Sequence, residues 1–168
     1  MIDIQQARKS LTSMQKLKLE TAAQILKETA HIYNGLAVDR ESMLPLWAAG
    51  VVTHGQPNTK FFEIGITEAA KKAKRQDTTK DHLFRVTETA KLILTKAPEL
   101  TEEEIQNLLI ERSIKMKTTR TENHTTLKRA LNNCKDRDNW KHLYEQARVD
   151  YELYTKASQP VLEDAESP

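Results

Sequence analysis

Residues 4–33, IQQARKSLTSMQKLKLETAAQILKETAHIY, run for thirty positions without a proline or glycine, and their reading decides the fold. Apolar side chains fall at Ile4, Ala7, Leu11, Met14, Ala22, Ile25 and Leu26. That recurrence puts them on one stripe of an α-helix. The spacing predicts one long amphipathic helix closed by Asn34-Gly35 as a left-handed cap. Several steps of three and four also suit a seam between two helices, so a homodimer through this first helix is expected beside ordinary core packing.

Working outward, the rest of the chain adds helices and little else. Asp39 and Ser42 are candidate caps for a short helix through Leu44, Leu46, Trp47 and Ala48, ended by Gly50. Thr53 to Asn58 reads as a loop. Lys60 to Ile66 has the aromatic and branched content of a strand, with Gly65 marking a bulge or a close approach. Thr67 caps a basic helix over Glu68 to Lys74. Asp81 to Ala97 repeats apolar residues at helical spacing, with Asp81 as a favourable charge near its start. Thr101 and Glu104 form a capping box for Ile105, Leu108 and Leu109. Ser113 to Thr119 alternates and is the second strand. Thr121 caps a helix carrying Leu127 and Leu131, and Trp140 to Lys156 forms the last helix. The expected class is therefore α+β, helix-dominated, with several amphipathic helices and a small two-stranded β element.

Bulk composition bounds the function. At 168 residues, residues 1–158 are expected to form one globular domain and 159–168 an acidic, disordered tail. Hydrophobic residues make up 38% and charged residues 30%, and only four are glycine, which disfavours a sandwich or barrel. A single cysteine, Cys134, excludes an internal disulfide. With no signal-peptide pattern and no run of about 18 apolar residues, a cytoplasmic protein without a membrane partner is expected.

The formal net charge is only +2, so clustering matters more than the sum. Lys71, Lys72, Lys74 and Arg75 form one basic block, and Arg112, Lys115, Lys117 and Arg120 a second. A third comprises Lys128, Arg129, Lys135, Arg137 and Lys141. Lys71, Lys72, Lys74, Arg75, Lys115, Lys117 and Arg120 are the candidate contacts to DNA phosphates, which would supply salt-dependent affinity without sequence preference.

Asp81-His82 and Glu122-Asn123-His124 stand between these blocks and bring imidazole, carboxylate and amide into a basic setting. Phosphodiester hydrolysis uses those groups to activate water and hold a divalent metal. The restriction-type pattern of an acid followed by acid-x-Lys on a strand is not met. Glu63-Ile-Gly-Ile has no lysine two residues on, and Glu68-Ala-Ala-Lys71 has the wrong spacing.

Asp81-His82-Leu83-Phe84, taken with Lys117-Thr118-Thr119-Arg120-Thr121-Glu122-Asn123, resembles the His/Asn (HNH, ββα-metal-like) endonucleases of phages, including free-standing homing endonucleases. The likeness covers roughly residues 80–131. It implies a metal-dependent DNA endonuclease, with His82 as general base and Asp81 and Asn123 holding a divalent metal, Mg2+ by preference. His124 would be a second ligand or transition-state stabiliser, and Arg85 would face the charge developing on the phosphate. The competing expectation does no chemistry. It is a helical nucleic-acid-binding or phage accessory protein acting by helix association, with Asp81 as a helix-terminal charge and His82 as surface.

Overall fold

The computed structural model describes residues 2–35, 43–134 and 139–155. The expected tail and the proposed caps Asp39 and Ser42 lie outside them. Helices dominate, and one four-stranded mixed sheet replaces the expected two-stranded element.

The first thirty residues form two helices rather than one, α1 (Ile4–Lys9) and α2 (Ser13–Gly35). Two local devices cause the break. The Ser10 hydroxyl and amide both turn back on the α1 carbonyls, the hydroxyl donating to the carbonyl of Ala7 at 2.7 Å. Thr12 and Gln15 then close a reciprocal cap, with the Thr12 amide donating to Gln15 Oε1 and the Gln15 amide to Thr12 Oγ1. Helix α3 (Leu44–Gly55) runs through Gly50 and takes in Thr53 and His54, which were expected in a loop.

Residues 60–62 make a 3-10 turn, and only Glu63–Thr67 is strand β1. Thr67 caps α4 (Glu68–Lys72) as expected, its Oγ1 accepting from the Ala70 amide. The expected helix from Asp81 is corrected at its start. Thr78–His82 is strand β2, and α5 begins only at Val86 and ends at Lys96. The β-branched pair Thr78-Thr79 and a partner strand outweigh the helical periodicity that resumes at Val86. Helix α6 (Glu102–Glu111) carries the capping box of Thr101 and Glu104, and Lys115–Thr119 is β3.

After β3 the chain turns into a π-helical segment, Glu122–Leu127, which runs into α7 (Lys128–Asn133). The cap there is Thr119, not Thr121. Thr119 Oγ1 accepts from the Glu122 amide, and Glu122 Oε2 accepts from the Thr119 amide. The last helix, α8, spans only Trp140–Gln146. Arg148 then adopts φ 53°, the amide of Val149 reaches the carbonyl of Tyr144, and that of Arg148 reaches Glu145. Those are the two bonds of a left-handed helix stop. It frees Tyr151–Leu153 to become β4, where a continuing helix was expected.

The strand order is β2-β3-β1-β4, with β1 parallel to β3 and the other pairs antiparallel. Gly65 earns its place twice. The register slips between Glu63 and Gly65, and a Cβ there would meet the carbonyl oxygen of Glu152 and, at 2.9 Å, the sulfur of Met116. Two apolar clusters hold the molecule together. One joins α1, α2, α3, α5 and α6 through Ala7, Leu19, Leu26, Val52, Ile93, Leu94, Ile105 and Leu109. The other lies under the sheet, where Leu83, Met116, Leu127, Tyr144 and Val149 meet. Each large side chain so buried stabilises by about 1.5–3 kcal/mol. Among the described residues no helix is long and apolar enough to cross a membrane.

Candidate nucleic-acid interface

Strand alternation assigns the side chains of β2 and β3 to two faces. Pairing sets Thr78 opposite Thr119, Lys80 opposite Lys117 and His82 opposite Lys115, so these six share one face. Asp81 pairs with Met116 on the other, inner face. Adjacent in sequence, Asp81 and His82 therefore leave the strand on opposite sides.

Asp81 is almost fully buried, and its carboxylate is already engaged. Tyr144 donates its hydroxyl to Oδ2 at 3.0 Å, and Arg85 Nη1 lies 4.0 Å from Oδ1. Burial raises the Asp81 pKa, against the lowering influence of Arg85 and of the tyrosine hydrogen bond. The same burial, with the Asp81 charge, pushes the Tyr144 hydroxyl far up, so it remains a donor. Asn123 is half-buried and His124 exposed, both inside the π-helical segment. Glu122 is held by Thr67 and Thr119, accepting from the Thr67 hydroxyl at 2.8 Å. Among the described residues no group of three or more His, Cys, Asp or Glu side chains could hold a metal ion. Asp81 turns inward from the face that carries His82, so these residues do not fit a shared magnesium site.

His82 is half-buried, and its Nδ1 is enclosed with no hydrogen-bond partner among the described residues. Burial, reinforced by Lys115 and Arg85, lowers its pKa from 6.5 to about 4. The ring is neutral at neutral pH. Lys115 is buried too, its Nζ donating to Asn58 Oδ1 at 2.9 Å, and burial beside Lys80 lowers its pKa from 10.5 to about 8.

Beyond this buried end, the same face opens into a groove of about 700 Å3 lined by Lys60, Glu63, Arg75, Thr78, Thr79, Lys80, Lys117 and Tyr154. Among the described residues, four cations face one carboxylate there. Glu63 is shared, with Lys80 Nζ at 3.1 Å and the Tyr154 hydroxyl at 3.4 Å. Lys60, Arg75 and Lys117 form no ion pair with any described residue. Lys80 and Lys117 stand directly opposite each other on neighbouring strands, an arrangement that repels. An anion between them would relieve it.

The basic residues singled out from sequence divide accordingly. Arg75 and Lys117 meet in the groove, although they come from different blocks. Lys71 is committed to Glu68 and Glu152, Lys115 is buried on Asn58, and Lys72, Lys74 and Arg120 are exposed outside the groove lining. Arg112 lies over the Phe84 ring at 4.8 Å. Lys60, Lys80 and Tyr154 are groove residues that sequence reasoning missed. Reading residues 78–82 as a strand would have placed Lys80 beside Thr78 and His82 on one face.

Comparison with family models, with curated proteins and with solved structures finds no match for this chain.

Proposed function

We propose that this protein binds the phosphate backbone of DNA in the basic groove of its sheet, as a binding module rather than through base-specific contacts. The observation that carries this reading is the group Lys60, Arg75 and Lys117, none of them ion-paired with a described residue, lining one groove in which Lys80 already holds Glu63, the one carboxylate among the described lining residues. Three cations gathered on one face without a carboxylate to neutralise them favour a polyanion as the occupant. The Tyr154 hydroxyl, whose pKa is raised chiefly by burial, donates to Glu63 and so helps to hold that carboxylate at the rim of the groove.

A second reading, metal-dependent hydrolysis of the bound strand, has one observation in its favour. His82 lies two residues along β2 from Lys80, on the same face, and is unprotonated at neutral pH. Its expected metal partner Asp81 faces the interior, and for that reason we rank binding first.

Fluorescence anisotropy with labelled single- and double-stranded DNA tests both. Binding by the wild type that is lost in Lys60→Gln/Arg75→Gln/Lys117→Gln, but kept in the control Lys72→Gln/Lys74→Gln, supports the groove. Equal binding by the two variants overturns it. Plasmid cutting that needs magnesium and disappears in His82→Ala would install hydrolysis as the function. A matched RNA strand separates a DNA from an RNA preference.

A further inference from the structure

Helix α2 buries one side against the helical core through Leu19, Ala22, Ala23, Leu26 and Ala30, yet a second stripe faces outward. It consists of Met14, Lys18, Thr21, Ile25, Glu28 and Ile32, separated by four, three, four, three and four residues. That alternation has the three-four spacing of a two-stranded coiled-coil seam, with Met14, Ile25 and Ile32 as its apolar members. Met14 and Ile32 are each more than half exposed, and Lys18, Thr21 and Glu28 are exposed as well.

We propose that this stripe pairs with the same stripe of a second copy of the chain, antiparallel, about a two-fold axis level with Ala23. The order of the seam selects that geometry. Positions 14 and 32, 18 and 28, and 21 and 25 lie equally far from 23, so Met14 meets Ile32 and Lys18 meets Glu28, each twice by symmetry. A parallel pair would instead set Lys18 against Lys18 and Glu28 against Glu28. Charge complementarity therefore names a second copy as the partner.

The neighbouring helix widens the surface. Trp47 of α3 is more than half exposed and borders an apolar groove of about 340 Å3 that Thr21, Ala22 and Ile25 also line. Met14, Leu17, Ile32 and Trp47 offer roughly 100 Å2 of apolar area each. Two copies would then bury about 800 Å2 from these side chains, to which the exposed Lys18, Thr21 and Glu28 of the seam add toward the roughly 1,000 Å2 that a specific interface needs. This pairing does not depend on the DNA-binding reading, because the two surfaces share no residue.

Sedimentation velocity of the full chain over a hundredfold range of concentration tests it. The wild type should shift from monomer to dimer, and Ile32→Glu should stay monomeric with an unchanged circular-dichroism melt. Lys18→Glu and Glu28→Lys should each weaken the dimer by about tenfold, since each loses two ion pairs. The double variant Lys18→Glu/Glu28→Lys should recover wild-type association. A wild type that stays monomeric throughout overturns the proposal, and so does a dimer indifferent to single reversals or not restored by the double one.

Discussion

Replacing His82 with glutamine should flatten the acid sensitivity of this fold. The imidazole titrates near 6.5 in an unfolded chain and at about 4 in the folded one, because burial and the neighbouring charges of Lys115 and Arg85 resist its protonation. A lowered histidine pKa means that the unfolded state binds more protons between those two values. Its contribution to stability is fully present above pH 6.5 and is lost as pH falls toward 4. At about 1.4 kcal/mol per pH unit, the window is worth at most about 3.5 kcal/mol, and partial access of water to the ring lowers this to about 2 kcal/mol. Urea unfolding at pH 7, 6, 5 and 4.5, for wild type and His82→Gln, measures it. The stability gap between the two proteins should shift by about 2 kcal/mol in favour of the variant on acidification, with carboxylate contributions common to both cancelling. Parallel stability curves would refute the argument and place His82 in open water. Lys115→Met supplies the internal check. Removing that charge should raise the His82 pKa and make the wild-type slope shallower.

Two other substitutions test the inner face and the sheet. Tyr144→Phe deprives the buried Asp81 carboxylate of its donor and should cost about 2 kcal/mol in chemical denaturation, whereas Asp81→Asn, which removes a charge that burial penalises, should cost less. The reverse order would mean that Asp81 is stabilised by its charge. Gly65→Ala drives a methyl group into the backbone of β4 and the sulfur of Met116, so a loss of about 1–3 kcal/mol is expected, with faster amide exchange confined first to Tyr151–Leu153. Unchanged exchange there would mean that the strands separate without cost.

The helical class was legible because periodicity and caps agree over most of the chain. Thr67 and the Thr101–Glu104 box are caps where the residues say they should be. Other boundaries carried a signal that stronger patterns hid. Thr12-Ser-Met-Gln15 and Thr119-Arg-Thr-Glu122 both have capping-box spacing, yet the first lies inside an unbroken apolar repeat and the second beside the rival cap Thr121. The end of α8 carried none, since its left-handed position is Arg148 rather than glycine. β4 is a strand only because β1 offers it an edge, a fact of tertiary structure that no local window contains.

The candidate site was legible in composition and not in placement. Lysines and arginines of separate blocks were visible as charge, and the groove that unites Arg75 with Lys117 exists only once β2 pairs with β3. Asp81 and His82 looked like one catalytic unit because they are adjacent. On a helix they could have shared a rim; on a strand, alternation sends one into the core and the other to the basic face.

The salt dependence of DNA binding tests the groove most directly. With Lys80 neutralised by Glu63, the three cations Lys60, Arg75 and Lys117 remain to displace counterions. Log K against log salt should then fall with a slope of about −3 on duplex DNA and about −2 on a single strand, and Lys117→Gln should make the duplex slope shallower by about 1. Affinity independent of salt, or a slope that Lys117→Gln leaves untouched, would contradict the account and remove the groove from the protein's function.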